Sequence, residues 1–318
     1  MARYYGLISV LSVLSKLVQA HSPVLPGLWA DPNIAVFGQE YYLFPTQDGF
    51  PSWSGQQFFV WKASDLVTWT RTPDAILTLN GTSGNVPWSD GSAWAPTVAE
   101  KDGKYYFYFS GNNPIFNYKT IGVAVADSPD GPYTAQPTAM INGTEALVAN
   151  QSIDPYVFLD PVSGKYWLFW GNGLALAAQL SDDMLSIEPD TLVEVSGELT
   201  DFNEGSSIAY RGGLYHFNYA INDTRSEYYA TGYATSTNLT GPYTYQGPIL
   251  QLNASLGILG TGGNDWYIAY HRFAIPDGNG TERETTIDRV YFNEDGLIEE
   301  VIPTLTSVEA EVVPARVL

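Results

Sequence analysis

Ser152-Ile153-Asp154-Pro155 opens a stretch that runs through Tyr156-Val157-Phe158-Leu159, turns at Ser163-Gly164, and returns as Lys165-Tyr166-Trp167-Leu168-Phe169-Trp170. An acid before proline, a short apolar run, a glycine turn and an aromatic run read together as a β-hairpin. The same arrangement recurs along the chain. Trp29-Ala30-Asp31-Pro32 leads through residues 33–37 to Tyr41-Tyr42-Leu43-Phe44. Asn203-Glu204-Gly205-Ser206 leads through residues 207–210 to Leu214-Tyr215-His216-Phe217. Trp94-Ala95-Pro96 precedes a further aromatic run, Tyr105-Tyr106-Phe107-Tyr108-Phe109, without an acid of its own.

A second signal repeats at a distance from the first. Gly131-Pro132-Tyr133-Thr134 and Gly241-Pro242-Tyr243-Thr244 each follow a β-rich run, and helical periodicity is almost absent. Marking the units at Asp31, Trp94, Asp154, Glu204 and Gly257 gives intervals of 63, 60, 50 and 53 residues. Each interval holds four strands of about five or six residues with their turns. Four-stranded units repeated radially make a β-propeller, so the expected fold is all-β, a single-domain five-bladed β-propeller. A β-sandwich is the alternative, but it does not explain a period near fifty to sixty. Residues 287–318 are expected to close the ring against the N-terminal residues.

Composition narrows the partners. Acidic residues outnumber basic ones 34 to 14, for a net charge of -20. Such a chain is poorly suited to nucleic acid or to an anionic membrane surface. With 9 Trp and 22 Tyr, a neutral sugar polymer fits better, although most of these rings are ordinary strand residues. Residues 1–20 read as a secretory signal peptide: Arg3 precedes an apolar run, and Val18-Gln19-Ala20 offers a cleavage site. The remainder, 21–318, is read as the catalytic domain of a secreted, extracellular protein that acts as a monomer. Seven N-glycosylation sequons, at Asn80, Asn142, Asn150, Asn222, Asn238, Asn253 and Asn279, agree with export. Asn150, four residues before Asp154, is the one expected to be buried. Cysteine is absent, which excludes thiol catalysis and Cys-based metal sites.

In a propeller the first strands of the blades line the central channel. Asp31, Asp154 and Glu204, at matched positions of three units, are therefore expected to face one another across one cavity. Any one of them alone is ordinary turn composition. Three together supply what glycosidic cleavage needs: an acid to protonate the leaving oxygen and a carboxylate to activate water or attack. A third carboxylate keeps the acid protonated, because like charges resist double ionisation.

These motifs resemble those of glycoside hydrolase family 43, five-bladed propellers that cleave arabinose- and xylose-containing polysaccharides with inversion. The resemblance covers residues 23–318. It implies Asp31 as general base, Glu204 as general acid, and Asp154 as the residue that tunes and orients the acid. It implies substrate contacts from Trp94, from His271 of Ala269-Tyr270-His271, and from Arg289 or Arg283, with Arg289 preferred. Trp29, Trp53 and Trp88 are candidates for outer subsites. No cofactor is required, and a single Ca ion in the central channel near His271 is compatible with the resemblance. Asp31 argues against the galactan-acting branch, and the run Arg283–Phe292 looks like arabinofuranosidase-type members. The implied activity is exo-acting α-L-arabinofuranosidase, with β-xylosidase or endo-arabinanase next. A non-catalytic sugar-binding propeller is the rival of another class, yet it would have no need of three matched acids.

Overall fold

The computed structural model describes residues 22–148, 151–265 and 268–313. Five small antiparallel sheets follow one another along the chain and stand as the blades of a propeller. The innermost strands are Trp29–Phe37, Trp94–Lys101, Tyr156–Leu159, Phe202–Arg211 and Gly262–Asp265. The first four pair with the aromatic runs predicted to follow them; Tyr156 to Leu159, for instance, oppose Phe169 to Tyr166, and the fifth pairs with Ala269–Phe273. Blades two, three and four have four strands each, in sequence order. No helix among the described residues is long and apolar enough to cross a membrane.

The aromatic residues explain why the blades stack. Among the described residues there is a buried apolar cluster at each of the five junctions between neighbouring blades. At the first junction Phe44 and Phe58 of blade one meet Phe107 and Phe109 of blade two, with rings 5.1 to 6.1 Å apart. Alternation puts one face of each strand on either neighbour, so both faces of a blade must be apolar. The Gly-Pro-Tyr-Thr repeats also hold equivalent places. Tyr133 donates to the Pro129 carbonyl at 3.0 Å, and Tyr243 to the Leu239 carbonyl at 2.8 Å.

Both chain ends close the ring. The Val24 amide donates to the Thr285 carbonyl of blade five at 2.9 Å, and the Ser22 and Thr286 hydroxyls lie 2.7 Å apart. From the other end, Val308 packs into the cluster between blades five and one, and the Glu311 amide donates to the Asp65 carbonyl. The expected partnership of residues 287–318 with the N-terminal residues is thus shared: the N-terminal segment lies on blade five, and the C-terminal one reaches blade one.

Four inner strands begin with a bulge, Asp154 stands just ahead of the third, Tyr156–Leu159, and each of the five units carries one residue there at positive φ. These residues are Asp31 (46°), Ala95 (40°), Asp154 (58°), Gly205 (60°) and Gly263 (56°). A β-bulge re-aims side chains at the rim of a barrel-like sheet, which places them over the channel mouth. Two spacing expectations are corrected here. The fifth unit starts at Gly262, not Gly257, which only ends a short helical turn. Glu204 stands one residue before the position that Asp31 and Asp154 occupy, where Gly205 takes the left-handed backbone.

Candidate active site

Three of the left-handed residues are latched to the preceding blade by the same bond. The Asp31 amide donates to His271 Nδ1 (3.2 Å), the Ala95 amide to Thr46 Oγ1 (2.7 Å), and the Asp154 amide to Ser110 Oγ (3.0 Å). Each acceptor lies on the second strand of the neighbouring blade: Ala269–Phe273, Glu40–Gln47 and Lys104–Asn113. A left-handed residue followed by proline interrupts the ladder, so its buried N–H needs such an acceptor. The latches fix where the side chains of Asp31 and Asp154 begin.

Those side chains and Glu204 meet in one cavity of about 410 Å³, lined also by Trp53, Trp94, Asn172, Tyr229 and Arg283. Their electrostatic surroundings differ sharply. Asp31 Oδ1 accepts from Arg283 Nη1 at 3.1 Å. Burial alone would raise the Asp31 pKa. The Arg283 guanidinium, with His271 and the Thr46 hydroxyl, outweighs burial and holds this carboxyl well below the usual carboxylate range.

Glu204 and Asp154 move the other way. Burial, then the charge of Asp31, pushes Glu204 up to about 7, although the Tyr229 hydroxyl donates to its Oε1 at 3.2 Å. Asn172 Nδ2 donates to Oε2, also at 3.2 Å. Burial and the neighbouring Glu204 carboxylate raise Asp154 well above its ordinary value, while the Gly205 amide opposes the shift. The two carboxyls titrate as a pair. One pocket therefore holds a permanently ionised carboxylate and a carboxyl pair that retains a proton near neutral pH.

Arg283 is held from behind by Asp48, whose Oδ2 accepts from Arg283 Nε at 2.8 Å and from its amide at 3.1 Å. His271 is wholly buried beneath Asp31 and does not line the cavity. Nδ1 lies 3.2 Å from the Asp31 amide nitrogen, whose proton it accepts when neutral, and 3.1 Å from Asp31 Oδ1, to which it would donate when protonated. Nε2 is buried without a hydrogen-bond partner in the protein. The described residues include no group of three or more His, Cys, Asp or Glu able to hold a metal.

Several expected substrate contacts fall elsewhere. Arg289 is half-exposed and pairs with Glu311 at 3.0 Å, away from the cavity; of the two candidates Arg283 is the one in the site, where Arg225 also lines the wall. Trp29 is buried, donates to the Pro26 carbonyl, and packs edge-on against Phe59 and Trp61. Trp88 stacks on Phe109 in the core. Trp53 and Trp94 do line the cavity, joined by the 2.7 Å bond from Trp94 Nε1 to the Trp53 carbonyl. The signal peptide and Asn150 lie outside the described residues, while Gln151 lines the cavity and Ser152 is buried. Asp48, Asn172 and Tyr229 were not anticipated. Asp48 directly follows the second strand of blade one, Asn172 follows that of blade three by two residues, and Tyr229 directly precedes a third strand, but all in ordinary turn composition.

One wall of the cavity is built from three blades. Trp53 Nε1 donates to the Gly280 carbonyl at 2.7 Å, and the Gly49 amide donates to the Thr281 carbonyl at 2.8 Å. A Cβ on Gly280 would come within 2.9 Å of the Arg225 Cα and the Thr224 carbonyl. The loops of blades one, five and four are thereby locked together.

The sequence profile of Glycosyl hydrolases family 43 matches residues 20–298. A β-D-galactofuranosidase of Aspergillus niger, xynD, is 33% identical across 95% of this chain and 90% of its own length. A xylosidase/arabinosidase 43A of Humicola insolens is 26% identical, over 87% of this chain and 98% of its own. A thermostable family-43 glycoside hydrolase of known crystal structure superposes with a TM-score of 0.78, covering 92% of this chain and 98% of its own at 24% identity.

Proposed function

Because this chain belongs to glycosyl hydrolases family 43, we propose that it is an inverting, exo-acting α-L-arabinofuranosidase whose base is Asp31 and whose acid is Glu204. The observation that carries the assignment is the opposed ionisation of the carboxyls in one pocket. Environments that push titratable groups apart assign base and acid roles. Asp31, kept as a carboxylate by Arg283, takes a proton from water as that water attacks the anomeric carbon. Glu204 gives its proton to the glycosidic oxygen as the bond to the departing alcohol breaks. Asp154, sharing the titration of Glu204, keeps that proton available and positions the acid through the Gly205 amide. Water enters opposite the leaving group, so the product has the inverted anomeric configuration.

The locked wall of loops from blades one, four and five supports exo action, since it limits the cavity on that side. A second reading is a β-D-galactofuranosidase, favoured by the 33% identity to the Aspergillus niger enzyme. The two substrates share one ring configuration; the galactofuranoside carries an exocyclic arm longer by a single carbon. β-Xylosidase activity is the third, following the Humicola insolens relative. Secretion and glycosylation belong to the same proposal, supported by exposure of the sequon residues Asn80, Asn222, Asn238 and Asn279.

The deciding measurement is kcat/KM on the 4-nitrophenyl α-L-arabinofuranoside, β-D-galactofuranoside and β-D-xyloside, with the anomer of the first product followed by NMR. The arabinofuranoside is expected to be turned over fastest. Preference for the galactofuranoside selects the second reading, and retention of configuration overturns the mechanism. Sugar binding without turnover of any of the three means a lectin-like propeller.

A further inference from the structure

Asp48 has no place in the reaction just described, yet its carboxylate is among the most deeply buried charges in the molecule. Its side chain is 1% exposed and Arg283's is 4%. Oδ2 accepts from Arg283 Nε at 2.8 Å and from the Arg283 amide at 3.1 Å, and Oδ1 accepts from Nη2 at 3.4 Å. The whole Nε–Nη2 edge of the guanidinium is thus taken up on the side away from the cavity. Nη1 alone reaches forward, to Asp31 Oδ1 at 3.1 Å and to Thr224 Oγ1 at 3.3 Å.

The geometry matters because arginine and a carboxylate prefer to meet fork to fork, through two parallel bonds. A two-pronged pair between Arg283 and Asp31 would occupy both oxygens of the base. It would also leave a neutralised pair where a proton acceptor is required. We propose that Asp48 is a positioning residue: by holding the Nε–Nη2 edge of Arg283 it limits the guanidinium to a single bond with Asp31 and offsets its charge across the pocket. This rests on the assignment of Asp31 and Glu204 above.

The second half of the proposal has a signature that simple packing lacks. Glu204 is faced by Asp31, Asp154, Asp223, Arg225, Arg283 and the Tyr229 hydroxyl. Of these, the donating Tyr229 hydroxyl, Arg283 and the more distant Arg225 favour its carboxylate form, and Arg283 is the one that Asp48 holds. Removing the negative charge of Asp48 leaves the guanidinium less compensated, so Glu204 loses its proton at lower pH. The alkaline fall in kcat/KM must then move to lower pH.

The test compares wild type, Asp48→Asn, Asp48→Glu and Glu204→Gln in the full chain, on whichever aryl furanoside is turned over. For Asp48→Asn we expect kcat to fall about 10- to 100-fold with little change in KM, and the alkaline midpoint to drop by about one pH unit. An unmoved midpoint, or a rise in KM alone, overturns the proposal. Should Asp48→Asn fail to fold, Asp48→Glu decides. It keeps the charge and displaces the arginine, so kcat should fall while the midpoint stays; full kcat overturns the proposal. Glu204→Gln separates the two levels when it is assayed on an oligosaccharide whose leaving group is an unactivated sugar hydroxyl: full activity there refutes the acid assignment whatever the Asp48 variants do.

Discussion

Blades one and two begin with the same local structure and do different things with it. Asp31-Pro32 and Ala95-Pro96 share a bulge, a left-handed residue before proline, and an amide latched to a polar side chain of the preceding blade. Blade one carries a carboxylate there and blade two a methyl group. The bulge is therefore part of the architecture, and the acid is an addition to it. Alanine in the blade-two position shows that the backbone does not need a carboxylate to adopt this conformation.

The strongest way to break that comparison is to make blade one like blade two. Asp31→Ala should fold, since Ala95 tolerates the same φ, and should lose turnover by roughly 10²–10⁴-fold or more. A variant that unfolds instead would mean that the acid holds the bulge. Arg283 keeps Asp48 as its partner in this variant, which avoids an unpaired buried cation. Circular dichroism and kcat/KM on the same sample separate the outcomes.

Blade four sharpens the contrast, because its acid precedes the bulge and stands in the opposite electrostatic setting. Glu204→Gln should reduce kcat by about 10²–10³-fold on substrates with poor leaving groups, and much less on activated aryl glycosides. In the wild type, activity should be present below pH of about 7 and fall as pH rises through it, because Glu204 must hold its proton. Asp31, held far lower, adds no acid limb in the ordinary range. Loss of the alkaline limb in Glu204→Gln, seen with an activated substrate, identifies its owner.

A smaller effect tests the latches themselves. Ser110→Ala removes the acceptor of the Asp154 amide in a fully buried setting and should cost about 1–3 kcal/mol of stability, read as a lowered Tm. A neutral result would mean that the left-handed residue needs no latch. Smallest of all, Arg289→Ala breaks a surface pair with Glu311 that is about half exposed on both sides. It should change stability by less than about 1 kcal/mol and leave kcat/KM unaltered. Arg283→Ala, six residues earlier in the chain, should be severe in both respects.

That pair of arginines shows how far the sequence could be read. Arg283 and Arg289 sit in one short run, and nothing in their neighbours distinguishes them. The strand Arg283–Ile287 directs the first into the cavity, and beyond its end the second turns out towards Glu311. Trp29 and Trp94 divide similarly. Trp29 stands two residues before its left-handed residue and Trp94 only one, so Trp29 points into the junction between blades five and one while Trp94 faces the cavity. A one-residue difference in offset reverses the face, and the two motifs had to be aligned on their left-handed residues before it could be seen.

By itself the sequence determined the five-fold repeat, the propeller and the three acids, because strand alternation, glycine turns and recurring acid-turn motifs are local patterns with a period. Only the tertiary structure decided which acid is ionised and which shares a proton. Those states depend on burial and on Arg283, His271 and Tyr229, which reach the acids from other strands and loops. Charge interactions act through space across a buried pocket, and separation along the chain, 252 residues between Asp31 and Arg283, says nothing of a contact at 3.1 Å.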